Sequence, residues 1–256
     1  MTERIGQGDP ARTLALLWGK VSTPKRGPRH AISATEVIAA AVRIADAGGL
    51  EAVTMRAVGN ELGRTAMSLY TYVLSRDVLI DLMYDSVYAD LPRSQNSKDW
   101  RKAVKRWCTS LRELYLAHPW LLDVSSARPV LGPHEQEALE SLLRILATAG
   151  LSIQDRPAAT SALFSVVRGA ARQAVEARGA VTEEDAEWWA ARGKALADAA
   201  PDFAERFPES TAIAAQQRKL GAQPWVKAAD QAFTRSIEFL VDGLARHADG
   251  PSAAVR

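Results

Sequence analysis

The chain has 256 residues, 47% of them hydrophobic and 24% charged, with a net charge of +2 and a single cysteine, Cys108. That length suits a small domain plus a larger one, and the composition is ordinary globular content. No apolar run reaches the roughly 20 residues of a membrane-spanning helix, the N-terminus lacks the order of a signal peptide, and a lone cysteine forms no internal disulfide, so a cytoplasmic protein without a membrane partner is expected.

Split along the chain, the charge becomes informative. Residues 1–76 carry ten basic against six acidic groups, and residues 77–256 carry 22 against 24. Residues 1–30 read as a flexible basic extension, with Lys20, Lys25, Arg26, Arg29 and His30 set among Pro24, Gly27 and Pro28. This segment is either an arm that lies along a phosphate backbone or a solvated tail. Leu14 to Trp18 is its exception, an apolar cluster able to dock as a short turn.

From residue 31 the signals are local and strong. Ser33 with Glu36 forms a capping box, Ile32 with Val37 a hydrophobic staple, and Val37, Ala41, Ile44 and Ala45 continue an apolar stripe to Gly48-Gly49. Thr54 caps a second helix with Val58 and Leu62 on one face, and Gly63 supplies a left-handed turn. Gly59 leaves room for two helices to approach closely. Thr65 caps a third helix in which Leu69 and Val73 face inward, leaving Ala66, Met67, Ser68, Tyr70, Thr71 and Tyr72 around the remaining surface. Two short helices across a glycine turn, the second with tyrosines and hydroxyls outward, are how a chain presents a helix to DNA. Ser75 then caps a fourth helix running towards Pro92, with apolar residues on two sides, which makes it a connector between bodies.

Residues 77–256 read as the connector plus a helical bundle. Val104-Trp107-Cys108-Leu111-Leu114-Tyr115, Leu139-Leu142-Leu143-Leu146 and Leu163-Val166-Val167-Ala170-Ala174 are successive stripes. Thr182 to Ala200 forms a further helix with Trp188-Trp189, and Phe233, Ile237, Leu240, Val241 and Leu244 recur at heptad-like spacing in the last. The expected fold is therefore all-α, with a helix-turn-helix domain over 31–76 joined to a larger helical domain. Met83, Tyr84, Trp107, Tyr115, Trp120 and Phe164 are the candidates to line a cavity for a small apolar or aromatic ligand, because they are large and lie on helices that should converge. His118 and His134 lack metal-ligand spacing, and no catalytic or phosphate-binding motif occurs; Gly193-Lys194 lacks both the upstream glycine and the following hydroxyl of a phosphate loop. No enzyme, metal or cofactor is expected.

The stretch from about Ser33 to Asp90 resembles the TetR family of bacterial repressors. Thr54, Leu62-Gly63, Ser68-Leu69-Tyr70, Tyr72-Val73 and Ser75-Arg76-Asp77 all fall in the family's register. His118-Pro119-Trp120-Leu121-Leu122 and Arg128-Pro129-Val130-Leu131-Gly132-Pro133 look like the ligand domains of its tetracycline-repressor branch. One departure is Arg64, where the family usually has a small apolar residue. The resemblance implies phosphate contacts from Tyr70, Tyr72 and Arg76, and it places Ala66, Met67, Ser68 and Thr71 nearest the base edges of a palindromic operator. Thr54 and Thr65 cap the two motif helices, and Arg56 or Arg64 is the candidate for a bidentate contact. It also implies a homodimer in which the helix carrying Leu163, Val166, Gly169, Ala170 and Ala174 and the last helix, carrying Phe233, Ile237, Leu240, Val241 and Leu244, pair with their copies from a second subunit in a four-helix interface; the alternative is that both stripes are intramolecular core. A small-molecule inducer would act by altering the spacing of the two reading heads. A helical interaction module or an enzyme without sequence-specific DNA binding remains the alternative.

Overall fold

The computed structural model describes residues 5–6, 9–20, 32–92, 99–125, 128–179, 183–221 and 223–249, and every regular element among them is helical. The first helix, α1 (Pro10–Leu17), lies inside the segment expected to be a flexible extension. It contains most of the Leu14 to Trp18 cluster, the part of that segment expected to dock. Ile5 and Leu17 are buried and Leu14 and Leu16 pack against the same core, so this part of the chain is docked. The Gly6 amide donates to Asp81 Oδ1 at 2.9 Å and the Trp18 indole donates to the Leu131 carbonyl at 3.0 Å, which pins the segment at both ends. Lys20 is exposed, while the basic cluster Lys25, Arg26, Arg29 and His30 lies outside the described residues.

Capping side chains set the next helix starts where the sequence places them. In α2 (Ala34–Gly48) the Ser33 hydroxyl accepts from the Glu36 amide and the Glu36 carboxylate accepts from the Ser33 amide, a complete capping box. Thr54, Thr65 and Ser75 each accept from the amide three residues on, opening α3 (Met55–Glu61), α4 (Ala66–Leu69) and α5 (Arg76–Tyr88). Gly63, between α3 and α4, has φ +64°, where an L side chain would be strained.

Helix α5 is buried along most of its length because it is covered on several sides. Val78 to Asp85 are consecutively buried, with α2 and α1 packed against it and α7 (Pro133–Thr148) following from the larger body. Two aspartates lie in this buried run. Asp85 Oδ1 accepts from the His134 and Glu135 amides at 3.0 and 2.9 Å, so a side chain of α5 caps α7. The fit requires Gly132, since a Cβ there would lie 2.2 Å from the same oxygen.

Asp81 is bonded through Oδ1 alone, and its Oδ2 is buried without a partner. Burial raises its pKa above the ordinary 3.8, partly opposed by the Gly6 amide. A carboxyl whose pKa is higher folded than unfolded holds more protons in the folded state, so its contribution to stability declines as pH rises from the ordinary value through the raised one. Asp81→Asn should therefore raise the melting temperature near neutral pH and flatten the decline that sets in as pH rises above the ordinary 3.8 in urea titrations. An unchanged profile would show that Asp81 does not carry this dependence.

The larger body contains α6 (Trp100–Ala117), a 3-10 turn at Pro119–Asp123, α7, α8 (Arg156–Gly179), α9 (Glu183–Ala199), α10 (Phe203–Arg206), α11 (Pro208–Arg218) and α12 (Pro224–Asp249). Helix α8 runs through its centre against α6, α7 and α12. Leu163, Ala174, Phe233, Ile237 and Val241, all expected at a subunit interface, are sealed within the single chain at 0 to 6% exposure. Val166, Ala170, Leu240 and Leu244 are half-buried against the same core, and Gly169 alone of that set is exposed. The stripes on α8 and α12 thus face each other first. Among the described residues no helix is long and apolar enough to cross a membrane.

Candidate DNA-binding interface and ligand cavity

Helices α2, α3 and α4 form a three-helix unit whose tightest point is Gly59. A Cβ there would lie 2.7 Å from the Arg64 carbonyl and 3.2 Å from the Ala66 amide, and the Arg64 amide donates to the Gly59 carbonyl at 2.8 Å. The backbone entering α4 therefore rests directly on α3. Thr54, Arg56, Arg64, Thr65, Met67, Tyr70 and Thr71 are all exposed on this unit, Met67 at 77%. An exposed methionine on a helix of four residues has no role in the core. Ser68 is half-buried, with its hydroxyl donating to the Thr65 carbonyl at 2.7 Å, while Ala66 and Tyr72 pack partly against the core. An exposed Arg43–Glu61 ion pair at 3.1 Å ties α2 to α3.

Arg76 has a different place from the one expected. Its Nε donates to the Val53 carbonyl and its Nη2 to the Leu50 carbonyl, both at 2.8 Å, closing the segment between α2 and α3. A guanidinium held this way braces the unit. Arg76→Ala should lower the melting temperature, by roughly 2 kcal/mol of stability for charge-assisted bonds to two carbonyls. The salt dependence of DNA binding should keep its slope, because that slope counts phosphates neutralised; a slope reduced by about one would restore a phosphate role.

The larger body holds a cavity of about 330 Å³ between α5, α6, α7 and α8. Tyr84, Tyr115 and Phe164 line it as expected, and Met83, Trp107 and Trp120 do not. Met83 is fully buried, and Trp107 backs the wall, its ring edge-on to Phe164 at 5.2 Å and its indole donating to the Ala138 carbonyl. Trp120 instead points to Asp46 on α2, where its indole donates at 2.8 Å to the oxygen that also receives His118 Nδ1 at 2.7 Å. Trp188 and Trp189 stand half-exposed on α9, with Trp189 stacked on Trp225.

What the sequence missed is the polar part of the wall: Tyr88, Arg128, Glu135, Gln136, Ser161, Ser165 and Arg168. A signal was present. Ser161, Phe164, Ser165 and Arg168 follow helical spacing along one face of α8, and Tyr88 lies one turn after Tyr84. The Tyr84 and Tyr88 hydroxyls are 3.0 Å apart, and the Tyr115 hydroxyl bonds with Tyr88 and Arg168. Burial raises the pKa of all three phenols, so they stand neutral as donors. Burial likewise raises that of Glu135, opposed by the Leu131 amide that its carboxylate caps at 2.7 Å.

A family profile described as tetracyclin repressor-like, C-terminal domain, matches residues 91–248. The chain belongs to the TetR family. It is 41% identical over 198 residues, 75% of this chain and 73% of the relative, to the HTH-type transcriptional repressor DrrR1 of Streptomyces coeruleorubidus. It is 27% identical over 228 residues, 84% of this chain and 94% of the relative, to the class A tetracycline repressor protein of transposon 1721 from Escherichia coli. The structure of the TetR family protein ActR from Streptomyces coelicolor in complex with actinorhodin superimposes with a TM-score of 0.68 at 27% identity, over 86% of this chain and 98% of that one. This TetR-family member is accordingly a DNA-binding transcriptional regulator and not an enzyme.

Proposed function

We propose that this TetR-family protein is a repressor that binds a palindromic operator as a homodimer and lets go when a small molecule fills the cavity. The observation that carries the reading is the path of α5. The helix begins at Arg76, which braces the DNA-binding unit, and places Tyr84 and Tyr88 in the cavity wall eight and twelve residues later. At 1.5 Å per residue that is about 12 to 18 Å of one rigid element between the two sites. A ligand with different affinity for two positions of α5 shifts the operator affinity by that same difference.

In this reading residues 31–76 are the DNA-binding domain and the chain from 77 onward carries ligand binding and dimerisation, with α1 strapped across the connector. Arg56, Arg64, Thr65, Met67, Ser68, Tyr70 and Thr71 face the operator, with Thr54 at the cap of α3, where a helix N-terminus favours phosphate. Arg64 or Arg56 supplies the bidentate contact, and Met67 and Thr71 supply apolar contact with thymine methyls. The subunits pair through the outer sides of α8 and α12, where Gly169 and Phe239 are exposed. The tyrosines of the cavity wall favour an aromatic ligand. Selection of random duplexes by the purified protein at moderate salt tests the core of this reading. Enrichment of an inverted repeat supports it, and sequence-blind retention refutes it.

A further inference from the structure

Arg168 belongs to two structures at once. It lines the cavity from α8, and its Nη2 donates to the carbonyls of Leu122 and Val124, each at 2.6 Å. Arg172, one turn further on, donates to the Leu122 carbonyl and to Asp123 Oδ1 at 3.1 Å. These arginines hold the C-terminal end of the 3-10 turn Pro119–Asp123, where carbonyls lack partners within the turn itself. The other end of the same turn grips the DNA-binding domain. Trp120, 2% exposed, and His118 both reach Asp46 Oδ1, in the last turn of α2. A polar strut therefore runs from the cavity wall through Arg168, the turn, and Trp120 with His118 to Asp46, separate from α5.

The strut meets the cavity at Arg168. Among the described residues only neutral groups hold its guanidinium, the Leu122 and Val124 carbonyls and the Tyr115 hydroxyl, and a ligand carboxylate or phenolate is a stronger acceptor for the same donors. The cavity favours such a group. Arg128 adds a second cation, the Glu135 carboxylate is engaged by the Leu131 amide, and the three phenols present hydroxyl groups beside flat rings.

We propose that the cavity takes an anionic, oxygenated aromatic molecule whose acidic group draws Arg168 away from the Leu122 and Val124 carbonyls, loosening the Pro119–Asp123 turn and its grip on Asp46. The proposal rests on the ligand reading of the cavity and not on operator recognition. Arg168 and Trp120 are positioning residues in it, acting on α2 through the turn.

The test uses the full chain without DNA, with anthraquinone carboxylate and its uncharged carboxamide as probes, followed by calorimetry and amide hydrogen exchange. The carboxylate should bind at least about tenfold more tightly than the amide, as a charge-assisted bond requires. It should also speed exchange across residues 119–124 and the end of α2. Arg168→Gln should cut the preference to less than about threefold and show faster exchange before any probe is added. Arg168→Lys, which keeps the charge and loses the fork, should retain the preference and still exchange faster in the turn. Asp46→Asn should bind the carboxylate as the parent does, yet free the end of α2 without it. Binding of neither probe, equal binding of both, or slower exchange at 119–124 on binding the carboxylate would each overturn the proposal. Because no step involves DNA, an absent operator would refute the repressor reading and leave this result standing.

Discussion

Gly59→Val should sharply weaken selective operator binding while leaving the larger body folded. The reason is backbone against backbone. Even the Cβ of alanine would lie 2.7 Å from the Arg64 carbonyl, closer than such atoms approach, and it would press on the Ala66 amide at 3.2 Å. Neither neighbour is the end of a flexible side chain, so relief requires α4 to move away from α3 and the Arg64–Gly59 hydrogen bond to open. Overpacking of this kind costs about 1 to 3 kcal/mol, and valine's two further methyls place the substitution at the upper end. A small three-helix unit has little reserve to absorb that. Converted to affinity, about 3 kcal/mol is roughly 100-fold, the loss expected in fluorescence anisotropy on the selected duplex. The melting transition of the larger body should stay in place. Binding within about threefold of the parent would show that α4 tolerates the shift and that the close approach is not what aims it.

Much of the DNA-binding unit was legible because its determinants are local. Ser33 with Glu36, Thr54, Thr65 and Ser75 each satisfy an amide three residues away, and Gly63 turns where the chain needs a left-handed residue. Those signals depend on neighbours in sequence, so spacing alone reveals them. Arg76 shows where this stops. Its partners are carbonyls 23 and 26 residues earlier, and no local pattern distinguishes a guanidinium that braces a loop from one that meets a phosphate. The cavity was half legible for the same reason. Large residues such as Tyr84 and Phe164 announce themselves, but whether Trp107 lines a space or backs its wall depends on which helices meet and at what angle. Trp120 was misplaced because its acceptor, Asp46, belongs to the other domain. The family itself was read from the motifs, and the profile over residues 91–248 places the rest of the chain within it.

The stripes on α8 and α12 pose the sharper problem, since an apolar face with heptad-like spacing looks the same whether it meets its own chain or a second copy. Burial separates the two cases. Ile237 at 3% exposure and Val241 at 1% already lie in the chain's own core, whereas Phe239, between them in sequence, is 66% exposed with the Arg235 guanidinium over its ring. Phe239→Glu should therefore yield a folded monomer. Light scattering should give the mass of one chain, the melting temperature should hold apart from any contribution of subunit association, and operator affinity should fall by roughly a thousandfold, because a monomer engages one half-site without the second. Ile237→Glu should behave in the opposite way, unfolding the larger body outright, since a carboxylate without a partner in that core costs several kcal/mol. The pair of variants decides the face. If Phe239→Glu remains a dimer with operator affinity unchanged, the subunits do not meet across the outer side of α12. The exposed surface of α9, with Trp188 and Trp189, then becomes the next place to introduce a charge.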